Sequence, residues 1–100
     1  MKMSRKNILD PVIHQPIRTR IVAFLSARAE ATFKELKEEL LITDGNLDAH
    51  LKKLAEAGYL KGQKSSGPGR AQTFYQLTAK GEAAFAVYVD SLRELINIPG

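Results

Sequence analysis

One side of the stretch from Thr43 to Leu60 carries small, hydrogen-bonding and cationic side chains. Leu47, Leu51 and Leu54 recur at helical spacing and predict a buried stripe. At about 100° per residue, the residues between them point the other way. Amide and imidazole groups on such a face can hydrogen-bond to base edges in a DNA major groove, and lysines can pair with phosphates. The outward residues are Gly45, Asn46, Ala49, His50, Lys52 and Lys53.

Individual residues of this face suit particular contacts with DNA. Asn46 can make a bidentate contact to adenine, and His50 can hydrogen-bond to a base edge. Ala49 can contact a thymine methyl group, and Gly45 allows the backbone near the helix N-terminus to approach a phosphate closely. Thr43 caps the helix, and its hydroxyl can also contact a phosphate. The alternatives are capping alone for Thr43, and an ordinary solvent-exposed face for the rest.

The preceding residues predict two helices. Pro16 suits a first helical turn, and apolar residues continue at helical spacing to about residue 28. Thr32 and Glu35 form a capping box that begins a shorter helix ending near Leu40. A turn of about three residues then leads to the cap at Thr43, which is the connection length of a helix-turn-helix. The third helix is therefore predicted to be a recognition helix.

A β-hairpin is predicted after Gly58, which suits the end of the third helix. The turn-forming residues 65–69 separate an extended stretch from a strand around residues 73–75, with a loop of five or six residues. A basic hairpin beside a recognition helix is typical of a wing that contacts phosphates and the minor groove. The alternative is a solvated hairpin whose charges protect its edge. The cations are Lys61, Lys64 and Arg70.

Thr78 is predicted to cap a last helix over residues 79–96. Its apolar face is broader than packing on one small domain requires. We therefore expect part of this face to meet the same helix of a second chain in a homodimer. The alternative is that the whole face packs on the first helix and residues 8–13. The predicted dimerisation residues are Phe85, Tyr88, Val89, Leu92 and Leu95.

Composition limits the remaining possibilities. One hundred residues make one domain, predicted over residues 11–97 after a flexible segment 1–10. The 15 Lys and Arg outweigh the 11 Asp and Glu by four charges, which makes an anionic partner plausible. With no cysteine and with His14 and His50 in different elements, we expect no metal, no cofactor and no catalytic site. No run of 18 apolar residues predicts a membrane span, so a cytoplasmic protein is expected.

Several motifs in this order carry a family resemblance. They are PIRTRIVAFL, the capped TFKELKEEL, NLDAHLKKLAEAGYL, the GPGR hairpin tip and YQLTAKGEAAF. Together they resemble compact winged helix-turn-helix transcriptional regulators of the multiple-antibiotic-resistance (MarR) and arsenic-sensor (ArsR) types, over about residues 11–88. The resemblance implies a mainly α fold with a small β-hairpin, in the α+β class. It also implies a dimeric regulator that binds double-stranded DNA. The contact positions that it implies are Thr43, Gly45, Asn46, Ala49, His50, Lys53, Lys64 and Arg70.

The chain departs from these relatives in two ways. It lacks the cysteine pairs or clustered ligands of the metal sensors, and it leaves little room for the effector pocket of the drug sensors. The effector is therefore unknown. The alternative functions are a winged-helix module for protein–protein interaction and an architectural protein that binds DNA without sequence preference. A neutral or apolar recognition face would favour protein interaction, whereas Lys53, Lys64 and Arg70 favour DNA.

Overall fold

The computed structural model describes residues 9–65 and 71–96 of the chain. These residues form four helices and a small antiparallel sheet, which confirms the predicted α+β winged-helix architecture. The elements in chain order are α1 (Pro16–Ala27), β1 (Ala31–Thr32), α2 (Phe33–Leu40), α3 (Asp44–Glu56), β2 (Leu60–Ser65), β3 (Gln72–Leu77) and α4 (Ala79–Ile96).

Side-chain caps determine where the helices begin. Gln15 caps α1 by accepting a 2.8 Å hydrogen bond from the backbone N–H of Arg18. The predicted capping box at α2 is present, since Thr32 and Glu35 each accept a hydrogen bond from the other's backbone N–H. Thr43 caps α3 through Oγ1, which accepts from the backbone N–H of Asn46 at 3.2 Å. These short-range contacts explain why the helix starts agree with the sequence prediction.

The turn between α2 and α3 contains an unusual backbone conformation. Leu41, the C-cap of α2, adopts the left-handed region with φ 57° and ψ 50°. Its side chain is 87% exposed, whereas Ile42 packs against the core. The left-handed residue reverses the chain within one residue, so that α3 can begin at Asp44.

The wing belongs to a three-stranded sheet rather than to an isolated hairpin. Strands β2 and β3 pair antiparallel from Leu60 opposite Leu77 to Ser65 opposite Gln72. The two-residue strand β1, which was not predicted, pairs with the other edge of β3, giving the order β1-β3-β2. Because β1 directly precedes α2, this pairing attaches the base of the wing to the helix-turn-helix.

The core lies between α1, α2, α3 and the base of the sheet. It is built mainly from the apolar side chains that the helical spacing predicted, including Ile21, Leu36, Leu47 and Leu54. Helix α4 approaches through Gly81, where an added Cβ would overlap the backbone carbonyl oxygen of Tyr59. Thr78 caps α4 as predicted, by accepting from the backbone N–H of Gly81 at 3.0 Å.

The segment before α1 is fixed where the structure describes it. Asp10, assigned by sequence to the flexible N-terminal segment, accepts hydrogen bonds from the backbone N–H of Val12 and from the hydroxyl of Tyr59. Ile13 is fully buried. Residues 1–8, the remainder of the predicted flexible segment, lie outside the described residues. No helix in the described part of the chain has the length and apolar character needed to cross a bilayer.

Candidate nucleic-acid interface

Helix α3 is positioned by its leucine stripe. Leu47, Leu51 and Leu54 are buried in the core, so the opposite face of the helix is turned to solvent. Four of the predicted contact residues on α3 are exposed and carry small or neutral polar side chains or none: Thr43 at the cap, Gly45, Asn46 and Ala49. A Cβ added at Gly45 would meet no atom within 4 Å. This end of α3 therefore offers free backbone N–H groups and an amide side chain to a ligand.

His50 differs from the sequence expectation, because it is half-buried rather than freely exposed. Its Nδ1 lies 3.1 Å from Nη1 of Arg18 on α1. Burial lowers the pKa of His50, and the positive charge of Arg18 lowers it further. Both effects favour the neutral form of the His50 ring, which lies beside the half-buried guanidinium of Arg18. The sequence pattern does not indicate this pair, because its members are 32 residues apart and belong to different helices.

Arg18 on α1 is half-buried and is not a free surface cation. Besides its contact with His50, its Nε donates a 2.6 Å hydrogen bond to the carbonyl oxygen of Val12. Arg20, its neighbour on the helix, is exposed and donates to the carbonyl oxygen of Glu39 at 3.2 Å. The two arginines of α1 therefore have different roles, one inside a contact network and one at the surface.

Ion pairs offset part of the charge at α3. Asp44 pairs with Lys37 of α2 at 2.8 Å, and Asp48 pairs with Lys52 within α3 at 3.2 Å. Lys53 is exposed and has no ion pair within residues 9–65 and 71–96. Because an anion approaching Lys52 must compete with Asp48, Lys53 is the stronger candidate for a phosphate contact.

The two wing lysines do not share a face of the sheet. Lys61 is opposite Gln76 and Lys64 is opposite Thr73, and strand alternation turns residues three apart to opposite sides. Lys64 is on the side of buried Leu60 and of Tyr75. Leu60 and Leu77 on this side join the hydrophobic core together with the leucines of α3, so this side of the wing faces the helices. Burial raises the pKa of Tyr75, and the carboxylate of Asp48 on α3 raises it further. Arg70, the third predicted wing cation, lies outside the described residues.

The predicted dimerisation residues divide into two groups in the protomer. Tyr88 is only 4% exposed, and its hydroxyl lies 2.9 Å from Nδ1 of His14, so it packs inside its own protomer. Phe85 is half-buried and packs against the core. Val89 and Leu92 are also half-buried, whereas Leu95 is 40% exposed and Ile96 77% exposed. Tyr88 therefore packs within its protomer, and the exposed large apolar side chains of α4 are Val87, Leu95 and Ile96.

No group of three or more acidic or histidine side chains that would hold a metal ion occurs among residues 9–65 and 71–96.

Comparison with known proteins agrees with this geometry. The chain is 39% identical over 84 residues to the uncharacterized protein MJ0432 of Methanocaldococcus jannaschii, covering 84% of this chain and 91% of that protein. It superposes with a TM-score of 0.82 on a transcriptional regulator homologue from Pyrococcus horikoshii OT3, at 30% identity and over 86% and 85% of the two chains. An ArsR family transcriptional regulator has the same fold, with a TM-score of 0.60 at 19% identity over 89% of this chain and 87% of that one.

The family assignment rests on most of the chain. Residues 17–96 match the winged helix DNA-binding domain family, a span that includes all four helices but for the first residue of α1. The matched family is a DNA-binding domain, and a possible transcriptional regulator for arsenical resistance, 30% identical with a TM-score of 0.65 over 86% of each chain, agrees with the resemblance to ArsR-type regulators. This chain belongs to the winged helix DNA-binding domain family.

Proposed function

We propose that this protein is a transcriptional regulator that binds specific sequences in double-stranded DNA, with α3 in the major groove and the wing along the adjacent backbone or minor groove. The outward face of α3 supports the proposal most strongly. That face is exposed, is supported from behind by buried leucines and carries an amide side chain without a partner in the protein's described residues. A helix of this width fits the major groove, where base edges carry a distinct pattern of donors and acceptors.

The proposed base contacts come from the first two turns of α3. The Asn46 amide is suited to a bidentate contact with adenine, and His50 adds a single hydrogen bond. Ala49 packs against a thymine methyl group. Gly45 brings the helix backbone close to a phosphate, because no side chain separates them, and the hydroxyl of Thr43 assists at the same end.

The proposed phosphate contacts come from cations around this face. Lys53 on α3 and Lys64 on the wing are exposed on surfaces next to the recognition face. Lys52, Lys61 and Arg70 are further proposed contacts from the sequence, although Asp48 competes for Lys52 and Lys61 lies on the outer side of the wing. Phosphate contacts position the protein on the duplex and make its affinity depend on salt.

We also propose a homodimer formed through α4. The end of α4 exposes Leu95 and Ile96, next to half-buried Val89 and Leu92. A two-fold dimer would present two α3 helices to half-sites about 34 Å apart, one turn of DNA. The regulator from Pyrococcus horikoshii, similar over almost the whole chain, supports a regulatory role.

Selection of bound duplexes from a random pool tests the function. We expect the wild-type protein to enrich one pseudo-palindromic sequence, and Asn46→Ala to lose about 1–3 kcal/mol of discrimination at one base pair of each half-site. Ser26→Ala, an exposed neutral change on α1, is the matched control and should bind as the wild type does. Salt-dependent binding without enrichment would instead indicate an architectural protein, and no DNA binding would indicate a protein-interaction module.

Sedimentation of two charge variants tests the dimer. Leu95→Glu should dissociate the dimer without unfolding the protomer, since Leu95 is partly exposed. Ala86→Glu adds the same charge on the same helix, nine residues away and therefore on the opposite face at about 100° per residue. The Ala86→Glu protein should remain dimeric. A Leu95→Glu protein of unchanged mass in solution would rule out this surface of α4 as the interface.

A further inference from the structure

Arg18 connects the segment before α1 to the recognition helix. Its Nε donates to the carbonyl oxygen of Val12 at 2.6 Å, and its Nη1 lies 3.1 Å from Nδ1 of His50. Its backbone N–H is also held, by Oε1 of Gln15 at 2.8 Å. Arg18 is therefore held by the residues that precede it in the chain, and its guanidinium extends from there to α3. Both the arginine and the histidine are half-buried, which limits competition from water.

The contact determines which nitrogen of His50 carries the proton. A guanidinium has five N–H donors and no acceptor, so the Nδ1 that faces it must be the unprotonated, accepting nitrogen. In a neutral imidazole the proton then sits on Nε2. Nε2 has no hydrogen-bond partner within residues 9–65 and 71–96. The ring of His50 therefore keeps one unused N–H donor. It belongs to α3, whose opposite side is buried in the core.

We propose that Arg18 is a positioning residue for DNA recognition, which fixes His50 as a neutral donor through Nε2 and directs it to an acceptor on a base edge, such as purine N7 or guanine O6. The inference rests on the proposed function, because it assigns a role within sequence-specific binding. Purine N7 and guanine O6 are acceptors exposed in the major groove, and a histidine in this tautomer matches them with one hydrogen bond. The lowered pKa of His50 is consistent with the same state.

The competing role for Arg18 is a direct phosphate contact. The geometry favours the positioning role, because Nε and Nη1 of this half-buried guanidinium already contact Val12 and His50, and a phosphate contact would have to come from its remaining N–H donors. The two roles differ in what they predict. A phosphate contact contributes about one unit to the salt dependence of binding to any sequence, whereas a positioning residue contributes to discrimination between sequences.

Nitrogen-15 NMR of the free protein tests the first half of the inference without DNA. The chain has two histidines, so the ring signals of His14 and His50 can be assigned with one His50→Gln variant. We expect the Nε2–H tautomer for wild-type His50 at neutral pH and a mixture of tautomers in Arg18→Met. His14 should be unchanged in both. A protonated ring or an Nδ1–H tautomer in the wild type would overturn the inference, whether or not Arg18→Met folds well.

Binding measurements test the second half. On the selected duplex, Arg18→Met should lose discrimination by roughly threefold to tenfold, the range of one net hydrogen bond, with an unchanged salt slope. His50→Ala should lose the same amount, and the double variant no more, because the two residues act through one contact. Arg20→Met removes the same charge from the same helix without touching His50, and should keep full discrimination.

The possible failures are distinguishable. A lower salt slope for Arg18→Met with intact discrimination would overturn the positioning role in favour of a phosphate contact. Additive losses in the double variant would also overturn it. If the wild-type protein showed no sequence preference at all, the proposed function would fail and the base contact with it, whichever tautomer the NMR spectra had shown.

Discussion

The hydroxyl of Tyr59 donates a 2.5 Å hydrogen bond to Oδ2 of Asp10, 49 residues earlier in the chain. The ammonium group of Lys80 on α4 lies 5.7 Å from the centre of the same ring. Tyr59 follows the recognition helix, Asp10 precedes α1, and Lys80 is in the first turn of α4. The Tyr59 side chain thus connects the segment before α1, the segment after α3 and the first turn of α4. Removing its contacts should weaken the packing of these three segments on one another.

We expect Tyr59→Phe to lower the free energy of unfolding by about 1 kcal/mol at pH 7, since it removes one partly exposed hydrogen bond to a carboxylate. Tyr75→Phe is the matched control, because the Tyr75 hydroxyl has no hydrogen bond to the protein within the described residues. That variant should stay within about 0.5 kcal/mol of the wild type. Urea denaturation of the three proteins makes the comparison, and equal losses in both variants would contradict the role of Asp10.

The same contact should also depend on pH. The hydrogen bond to Asp10, with burial and the charge of Asp10 adding to it, raises the pKa of Tyr59 from 10.0 to about 12. Folding therefore favours the protonated phenol, so the stabilisation is complete below pH 10 and is lost as the pH rises towards 12. The stability difference between wild type and Tyr59→Phe should be constant from pH 7 to about 9 and then shrink. Tyrosinate absorbance should show one late titration that the variant lacks.

Gly81 permits the closest approach of α4 to the rest of the fold. An added Cβ would overlap the carbonyl oxygen of Tyr59, a backbone atom that cannot rotate away. We expect Gly81→Ala to lower the free energy of unfolding by about 2–4 kcal/mol, despite the better helix propensity of alanine. Thermal unfolding followed by circular dichroism measures the loss. An unchanged melting temperature would mean that α4 packs farther from Tyr59 than the structure shows.

Substitution of Gly45 should have the opposite effect on stability to substitution of Gly81, because an added Cβ at Gly45 would meet no other atom. Gly45→Ala should raise the free energy of unfolding by about 0.5–1 kcal/mol through helix propensity alone. If the backbone here approaches a phosphate, the new methyl group should nevertheless weaken DNA binding. A stability gain with reduced affinity supports the close approach. Unchanged affinity would mean that Gly45 does not lie close to the DNA backbone, and the expected gain in stability would still hold.

The sequence predicted best the features that depend on nearby residues. The caps at Thr32, Thr43 and Thr78 and the left-handed Gly58 (φ 82°) are each determined within a few residues, and the structure has them all. Strand β1 could not be predicted, because two residues carry no periodic pattern and the pairing partner is more than 40 residues away. The contact between Arg18 and His50 is equally non-local.

The errors at the candidate site have the same origin. Helical spacing placed His50 and Tyr88 on outward faces, but spacing along one helix does not reveal which neighbouring helix or segment covers its flank. Arg18 covers His50, and His14 meets Tyr88. The wing lysines were grouped by charge, whereas the strand register separates them. Lys61 and Lys64 are three residues apart in one strand, so the alternation of side chains along a strand already indicates this difference in the sequence.

Leu41 carries backbone strain that a single substitution should relieve. A left-handed conformation costs an L-residue with a side chain about 1–2 kcal/mol, and the exposed leucine gains little burial in return. We expect Leu41→Gly to raise the free energy of unfolding by about 0.5–1 kcal/mol after the added flexibility of the unfolded chain is subtracted. Leu41→Ala removes the same apolar atoms but keeps Cβ, so it should give no gain. Equal effects in urea denaturation would point to exposure, not conformation, as the cause.

The two wing lysines provide a test of how the wing meets DNA. Lys64 lies on the side of the sheet that faces α3, whereas Lys61 lies on the other side, yet both are exposed lysines of the same strand. If α3 enters the major groove, the DNA phosphates beside that groove lie on the same side of the sheet as Lys64. We therefore expect Lys64→Ala to lower the salt slope of binding by about one unit and Lys61→Ala to leave it nearly unchanged.

The measurement is the dissociation constant of each variant over a series of salt concentrations on one selected duplex and on one unrelated duplex. Because phosphates carry no sequence information, Lys64→Ala should weaken binding to both duplexes by the same factor. The pair of variants removes equal charge, so long-range attraction falls equally and only the local contact differs. A larger slope change for Lys61→Ala would mean that the DNA backbone runs along the outer side of the wing. Equal changes would mean that the wing contributes through its total charge.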